Sequence, residues 1–316
     1  YNSLSMDSRI EKLQKIFAEQ SLDAVLISST PNIYYLTGYG GFVPEERDAY
    51  ILVTPHKGYI FTHALYAEAM GTAIPHLSLV EMTRDEPFAE AMKRLLKEHG
   101  IKKLGIESEN LTVAEYQKLT PLSIELSHVN VSKLRTHKEA RELENIQRAC
   151  ALTDDAFDYI LNYIKPGMTE QDVEYAISKY FTNHDAQTSF RSIVAFGKNA
   201  SVPHHLSGQT KLKEQDVVLV DFGAKVNFYC ADVSRTFFVG EPPPKQEEMY
   251  QVAYEAQQAA IDFIEAKLAA DETLSAFETD KIARDYIVSK GYPAFPYSLG
   301  HGVAIEIHEY PLINPR

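Results

Sequence analysis

The fold of this chain is decided by Val217-Val-Leu-Val-Asp-Phe-Gly-Ala-Lys-Val-Asn-Phe-Tyr-Cys-Ala-Asp-Val-Ser-Arg-Thr-Phe-Phe-Val239, which has the pattern of two strands joined by a tight turn. If the hairpin turns on Val226-Asn227, Asp221 and Asp232 lie directly opposite each other, with Cβ atoms roughly 4.5–5.5 Å apart. Like charges in that position repel, and a shared proton or a bound cation relieves the repulsion. The histidine at position 301 favours the cation, so the segment predicts a metalloenzyme.

Solvation is the alternative explanation for the two aspartates, because acidic residues in strands usually face water. Asp221 follows the continuous apolar run of residues 217–220, however, and such runs are typical of buried strands. A carboxylate at the end of a buried run is costly unless it is paired or coordinated. The hairpin alone leaves both explanations open, and the rest of the chain has to decide between them.

Bulk composition excludes several classes of function. The chain has 316 residues, of which 45% are hydrophobic, enough for two domains with sizeable cores. Its net charge of −13 argues against nucleic acid or an anionic membrane as partner, and no apolar run approaches the roughly 18 residues that span a bilayer. Cys150 and Cys230 are too few for a disulfide framework, and the N-terminus lacks the pattern of a secretion signal. We therefore expect a cytoplasmic protein.

The predicted helices and strands fall into two units. Residues 1–133 alternate helix with strand, which is typical of an α/β layer fold, whereas residues 134–316 combine long helices with a mostly antiparallel sheet, an α+β pattern. In the first unit we expect helices over 8–20, 86–99 and 112–118, strands over 23–27, 49–53, 58–61 and 103–107, and a turn over 28–32. In the second we expect helices over 138–164, 246–269 and 274–290, a helix opened by a capping box at 169–172, and strands over 193–196 and 298–307 beside the hairpin.

Three histidines in the second unit join the aspartate pair as candidates for chemistry. His204 lies in a loop that leads toward the hairpin, His301 lies between two glycines that permit close backbone approach, and His308 follows seven residues later. An odd spacing places His301 and His308 on opposite faces of a strand, so a bulge or bend must intervene if both reach one site. Each histidine alone is more often a satisfied polar contact; their joint occurrence favours a shared site.

Together these motifs resemble the pita-bread metallopeptidases, the family of methionine aminopeptidase, aminopeptidase P and prolidase. The resemblance extends from Met6 to Arg316 and is highly specific only in combination. It rests on Asp221-Phe-Gly-Ala, Tyr229-x-x-Asp232-x-x-Arg235-Thr236, Gly300-His-Gly-Val303 with His308-Glu309, Val194-Ala-Phe-Gly-Lys-Asn-Ala-Ser-Val-Pro-His-His205, the helix from Lys138 to Arg148, and Asn32-Ile-Tyr-Tyr-Leu-Thr-Gly38.

The resemblance implies an α/β creatinase-like N-terminal domain followed by an α+β pita-bread catalytic domain. It implies Asp221, Asp232 and His301 as ligands of two divalent metal ions, with manganese expected and cobalt, zinc or iron as alternatives. His204 and His308 would be the catalytic, substrate-binding histidines. Phe190 would line the pocket for the residue before proline, with core packing as the alternative. The implied assembly is a homodimer.

The implied activity is hydrolysis of Xaa-Pro bonds in proline-containing peptides, most like a Xaa-Pro dipeptidase (prolidase). Aminopeptidase P, which takes longer peptides, is the alternative within the family, and a non-catalytic pita-bread binding module is the alternative outside catalysis. In the family two glutamates beyond the His308 segment complete the metal site, and this sequence ends at Arg316. We therefore expect the catalytic domain to be truncated and these residues alone to be inactive.

Three positions depart from the family pattern. Phe228 stands where a glycine usually precedes the tyrosine of the hairpin, and Ala304 stands where a glycine usually follows His-Gly-Val. Leu312 stands where some prolidases have an arginine that grips the carboxylate of a dipeptide. The first two predict small changes of shape, and the third places selectivity for dipeptides in question.

Overall fold

A computed structural model of the chain describes residues 3–43 and 46–316. The chain divides into two compact units, Tyr1–His137 and Lys138–Arg316. Within the described residues, no helix combines the length and the apolar character needed to cross a membrane.

The first unit is a six-stranded mixed sheet flanked by helices, with strand order β4-β3-β2-β1-β5-β6. Strand β1 pairs antiparallel with β2 and parallel with β5. The elements are α1 Ser3–Gln20, β1 Ala24–Ile27, α2 Thr30–Thr37, β2 Ala49–Val53, β3 Gly58–Thr62, α3 Ala64–Ala73, β4 Ser78–Glu81, α4 Phe88–Glu98, β5 Lys103–Ile106, α5 Val113–Leu119 and β6 Glu125–His128, with 3₁₀ turns at Thr120–Leu122 and Val131–Arg135.

Burial explains why these strands are so apolar. Every residue of β1, β2 and β3 is buried, as expected for strands covered on both faces. Helix α4 turns its apolar stripe to the same core, with Phe88, Ala91, Met92, Leu95 and Leu96 buried. The periodicities that predicted these elements therefore correspond to real buried faces.

One expectation for the first unit is wrong: the turn predicted over residues 28–32 becomes a helix at Thr30. Pro31 lies in the first turn of α2, where its missing N–H costs no intrahelical bond. Gly38 ends the helix with a φ of 70°, and its N–H donates to the Tyr34 carbonyl. The composition of residues 28–32 is that of a turn, but here it serves as a helix start.

The second unit packs helices on one face of a small antiparallel sheet. Two three-stranded ladders, β12-β9-β8 and β11-β10-β7, share the hairpin, and β13 pairs with β14. The elements are α6 Ala140–Tyr163, α7 Glu170–Asn183, β7 Gln187–Thr188, β8 Ile193–Phe196, a 3₁₀ turn Gly197–Ser201, β9 Val217–Phe222, β10 Ala224–Val226, β11 Tyr229–Cys230, β12 Val233–Phe238, α8 Pro244–Ala269, α9 Ala276–Ser289, β13 Gly300–Gly302 and β14 Glu309–Ile313.

Two expectations for this unit have different outcomes. The capping box at Thr169 is confirmed. The Thr169 side chain accepts a hydrogen bond from the Asp172 N–H, and the Asp172 carboxylate accepts one from the Thr169 N–H. The single strand predicted over 298–307 is wrong beyond Gly302, since β13 has only three residues and a loop leads to β14.

Strand β9 separates the core from the opposite face of the sheet. Its alternate residues Val218, Val220 and Phe222 are fully buried in a cluster with residues of α6 and α7. Asp221 lies between them in sequence and is only half-buried, because successive side chains of a strand point to opposite faces. The continuous apolar run at 217–220 therefore serves two different environments.

The hairpin has a different register from the one predicted. It turns on Asn227-Phe228, both with positive φ (48° and 70°), as a type I′ turn requires. Asp221 consequently pairs with Ser234 rather than with Asp232. A turn centred on Val226-Asn227 would place a β-branched residue at positive φ, which is strained.

The hairpin bends where Asp232 leaves the ladder, opposite Gly223. Pairing ends at Val233 with Phe222 and resumes where the Ala231 N–H donates to the Ala224 carbonyl, at 2.9 Å. A Cβ on Gly223 would lie 1.8 Å from the Ala231 carbonyl oxygen. Only glycine allows the two strands to approach this closely.

We predict that Gly223→Ala lowers the free energy of unfolding of the second unit by about 2–3 kcal/mol, because the added methyl group forces the backbone apart. Chemical denaturation of the protein measures the change. Gly300→Ala is the matched control, since its Cβ would meet only Ile313 Cδ1, at 3.9 Å. Equal stabilities for the two variants would contradict the packing argument.

Candidate metal centre

The two aspartates share one face of the hairpin, on diagonal positions. Asp221 on β9 is fixed by Ser234, whose hydroxyl donates to Asp221 Oδ1 at 2.8 Å. Asp232 lies two pairs further along, past Val233 and Phe222, at the bend beside Gly223. A register shift of two residues preserves the face, so the predicted proximity survives although the directly opposed pairing does not.

Asp232 is the electrostatically strained member of the pair. Burial, and next the charge of Asp221, raise the pKa of the Asp232 carboxyl above its ordinary value, while His301 and His308 act in the opposite direction. Asp232 Oδ2 lies 3.6 Å from His301 Nε2. The site therefore holds negative charge that a cation would stabilise.

His301 turns its Nε2 toward Asp232. Its Nδ1 lies 3.0 Å from the Gly302 carbonyl oxygen, which can only accept a hydrogen bond, so Nδ1 carries the proton. In the neutral form that a metal ion would bind, the unprotonated nitrogen is then Nε2, on the side of Asp232. Metal-ligating histidines characteristically donate their other N–H to a carbonyl or carboxylate in this way.

A bulge brings His308 beside His301, as the sequence required. The register of β13 and β14 shifts between His301 and Gly302, and the two imidazole centroids lie 4.5 Å apart. Gly302 permits the bulge, because a Cβ there would lie 2.5 Å from the Tyr310 carbonyl oxygen. The expectation of an irregularity between the two histidines is confirmed.

Two adjoining cavities open on this face, of about 670 and 430 Å³. His204, Asp221 and His308 line both. His301 and Leu312 line only the larger cavity, while Phe190 and Asp232 line only the smaller. The six predicted site residues and Leu312 therefore all line one or both of two neighbouring cavities, and their roles stay predictions.

The donors present suit a divalent ion. Two carboxylates and one neutral imidazole match manganese, cobalt, zinc or iron. Among the described residues, no three histidine, cysteine or acidic side chains already converge into a closed cage. Two interactions connect the three side chains: the charge of Asp221 acts on Asp232, and Asp232 lies close to His301 Nε2.

Sequence reasoning missed one buried group at the site, Glu170. Its side chain is fully buried and accepts a hydrogen bond from His205 Nε2, at 2.8 Å, next to His204 in the chain. A glutamate in the first turn of a helix is usually explained by the helix dipole, so no local signal distinguished it.

Comparison with known proteins assigns each of the two units to a known domain family. The model of metallopeptidase family M24 matches residues 144–316, and the model of the creatinase/prolidase N-terminal domain matches residues 9–142. The family resemblance and the predicted fold class, an α/β creatinase-like domain followed by an α+β pita-bread domain, are confirmed.

Individual relatives agree with the family match. The Xaa-Pro dipeptidase of Pyrococcus furiosus is 31% identical, covering 98% of this chain and 85% of its own. The solved structure of a Xaa-Pro dipeptidase from Bacillus anthracis superposes with a TM-score of 0.88 at 29% identity, covering 98% of this chain and 85% of that one. An X-Pro aminopeptidase from Thermotoga maritima superposes with a TM-score of 0.78 at 25% identity, covering 94% and 84%.

We predict that Asp232→Asn raises the melting temperature of the metal-free protein at neutral pH. A carboxyl whose folded-state pKa is raised destabilises the native state above that pKa, and this penalty disappears as pH falls below the ordinary value of 3.8. The stabilising effect should therefore vanish in acid. Thermal unfolding followed from pH 3 to pH 7 measures it.

Added Mn²⁺ should reverse the order of the two proteins, because binding to the native state stabilises it. The wild type should gain melting temperature with increasing Mn²⁺, and Asp232→Asn should gain less. Asp262→Asn, an exposed change on α8, is the control expected to behave as wild type. Equal stabilisation of all three proteins would argue against Asp232 as a ligand.

Proposed function

This chain belongs to metallopeptidase family M24, and from that membership we propose that it hydrolyses Xaa-Pro peptide bonds, as a Xaa-Pro dipeptidase (prolidase). One observation supports the proposal above others. His204, Asp221 and His308 line both cavities, so a peptide lying across the two would place its central bond over the acidic pair. Retention of Asp221, Asp232 and His301 argues against a non-catalytic binding module.

Asp221, Asp232 and His301 would hold the metal in this proposal. We propose two divalent ions, with manganese first and cobalt, zinc or iron as alternatives. When bound, such ions supply Lewis acidity and a nucleophile at neutral pH. The chain itself contributes orientation: Ser234 fixes Asp221, and the Gly302 carbonyl fixes the tautomer of His301.

His204 and His308 would act on the substrate. Each can donate a hydrogen bond to the oxygen of the scissile carbonyl, where negative charge develops during attack. His308 is held beside His301, whereas His204 reaches the cavities from a separate loop. The two donors therefore approach the substrate from different elements of the domain.

The cavities suggest how a substrate would be divided. Phe190 lines the smaller one together with Asp232, and we propose that it contacts the residue before proline. Phe190 is half-buried rather than part of the packed core, which favours this role over core packing. The homodimer and the cytoplasmic location expected from the sequence stay predictions.

Leu312 supports a second candidate, a Xaa-Pro aminopeptidase that takes longer peptides. It is 42% exposed and lines the larger cavity with His301 and His308. An aliphatic side chain there cannot pair with the free carboxylate of a dipeptide. It would tolerate a continuing peptide chain.

The proposed function predicts manganese-dependent hydrolysis of Ala-Pro by the full-length protein, with Ala-Ala cleaved far more slowly. His204→Ala should lower kcat/KM by about 10²–10³-fold, the cost of removing one donor to a developing oxyanion. His184→Ala, an exposed histidine at the end of α7, should leave the rate unchanged. No preference for proline, or equal rates for His204→Ala and wild type, would contradict the proposal.

The role of Leu312 predicts the outcome of Leu312→Arg. A cation in the wall of the larger cavity should lower KM for Ala-Pro by about tenfold or more, since a hydrogen bond to a charged group contributes about 1.5–3 kcal/mol. KM for a longer peptide with an amidated C-terminus should not fall. Leu312→Met keeps the volume without the charge and should match wild type for both substrates.

A further inference from the structure

We propose that Glu170 is a positioning residue, whose buried carboxylate fixes the loop of residues 197–208 so that His204 faces the two cavities. The inference rests on the proposed function, because it concerns the reach of one proposed catalytic side chain. It assigns a role to Glu170, and to His205, which itself lines the smaller cavity.

The carboxylate of Glu170 connects to both ends of the loop. It is the first residue of α7, with no exposed surface. Oε1 accepts from the Phe196 N–H at 2.9 Å and from Asn199 Nδ2 at 2.8 Å. Oε2 accepts from His205 Nε2 at 2.8 Å and from the Gly208 N–H at 3.0 Å. A single buried group therefore holds four points along thirteen residues of chain.

The charge of Glu170 fits this set of donors. Burial raises the pKa of the carboxyl, but hydrogen bonds from Asn199, His205, Phe196 and Gly208 outweigh it and lower the pKa below the ordinary value. An ionised carboxylate only accepts hydrogen bonds. A glutamine in its place would present an amide NH₂ to two of the four donors, so one end of the loop would lose its anchor.

His204 lies between these anchors, in a conformation that needs support. Its φ is +54°, in the left-handed region that is uncommon for residues other than glycine. Asn199 holds the chain before it and His205 holds the chain directly after it. A further tie comes from buried Ser207, whose hydroxyl accepts from the Val194 N–H at 2.9 Å. Of residues 197–208, His204 is the one that lines both cavities.

A double-mutant cycle tests whether Glu170 acts through His204. Glu170→Gln should lower kcat/KM for Ala-Pro by about 10²-fold, the typical cost of misplacing a reacting group by about 1 Å. In the His204→Ala background the same change should cost less than about threefold, since groups that act as a unit are not additive. A residue that only stabilises the fold would give equal losses in both backgrounds, and that result would overturn the proposal.

Three variants separate positioning from stability. His205→Gln keeps an N–H donor and should retain most activity, whereas His205→Ala should lose it. Asp172→Asn weakens the capping box of the same helix and should lower the melting temperature while leaving kcat/KM near wild type. Should Glu170→Gln fail to fold, His205→Ala and Asn199→Ala complete the cycle with the carboxylate intact.

A spectroscopic readout distinguishes failure of this inference from failure of the proposed function. Long-range ¹H–¹⁵N correlation spectra of the metal-free protein report the imidazole of His204 without any turnover. Glu170→Gln should shift or broaden the His204 signals and leave those of His184 unchanged. Unchanged His204 signals would overturn the positioning role. If the wild type shows no proline-dependent hydrolysis, only the proposed function is overturned.

Discussion

The close approach of the Ala231 carbonyl to Gly223 is the constraint on which the rest of the site depends. It bends the hairpin and releases Asp232 from the ladder while keeping it on the face that carries Asp221. Two carboxylates then share a partly buried environment, and the pKa of Asp232 rises as a result of burial and of the neighbouring charge. A side chain at position 223 would force the two strands apart, because its Cβ would lie 1.8 Å from the Ala231 carbonyl oxygen.

Sequence patterns predicted most of this architecture because the patterns correspond to buried faces. The long helices and the apolar strands were found from periodicity, and the shared face of the aspartates was correct because a slip of two residues preserves parity. The register itself was wrong, since the turn uses Phe228 at positive φ, which composition does not favour. The helix that begins at Thr30 is not predicted, because its first residues have the composition of a turn.

The role of Glu170 could not be predicted from local sequence. Its four donors lie between 26 and 38 residues away along the chain, so the residues next to Glu170 give no sign of these hydrogen bonds. A capping box at Thr169 explained the acidic residues of that turn sufficiently. Buried polar networks of this kind become visible only when the fold brings distant donors around one acceptor, and each member then has to be satisfied.

The alternation of β9 explains how the fold carries a strained site. Val218, Val220 and Phe222 bury their side chains against α6 and α7, and burial of such side chains contributes about 1.5–3 kcal/mol each. The opposite face carries Asp221 and, beyond the bend, Asp232, where uncompensated charge opposes folding. Because successive residues point to opposite faces, one short strand supplies both the stabilising core and the acidic site. Because the two faces are separate, a metal ion can bind or leave the acidic face while the core packed against the helices holds the strand in place.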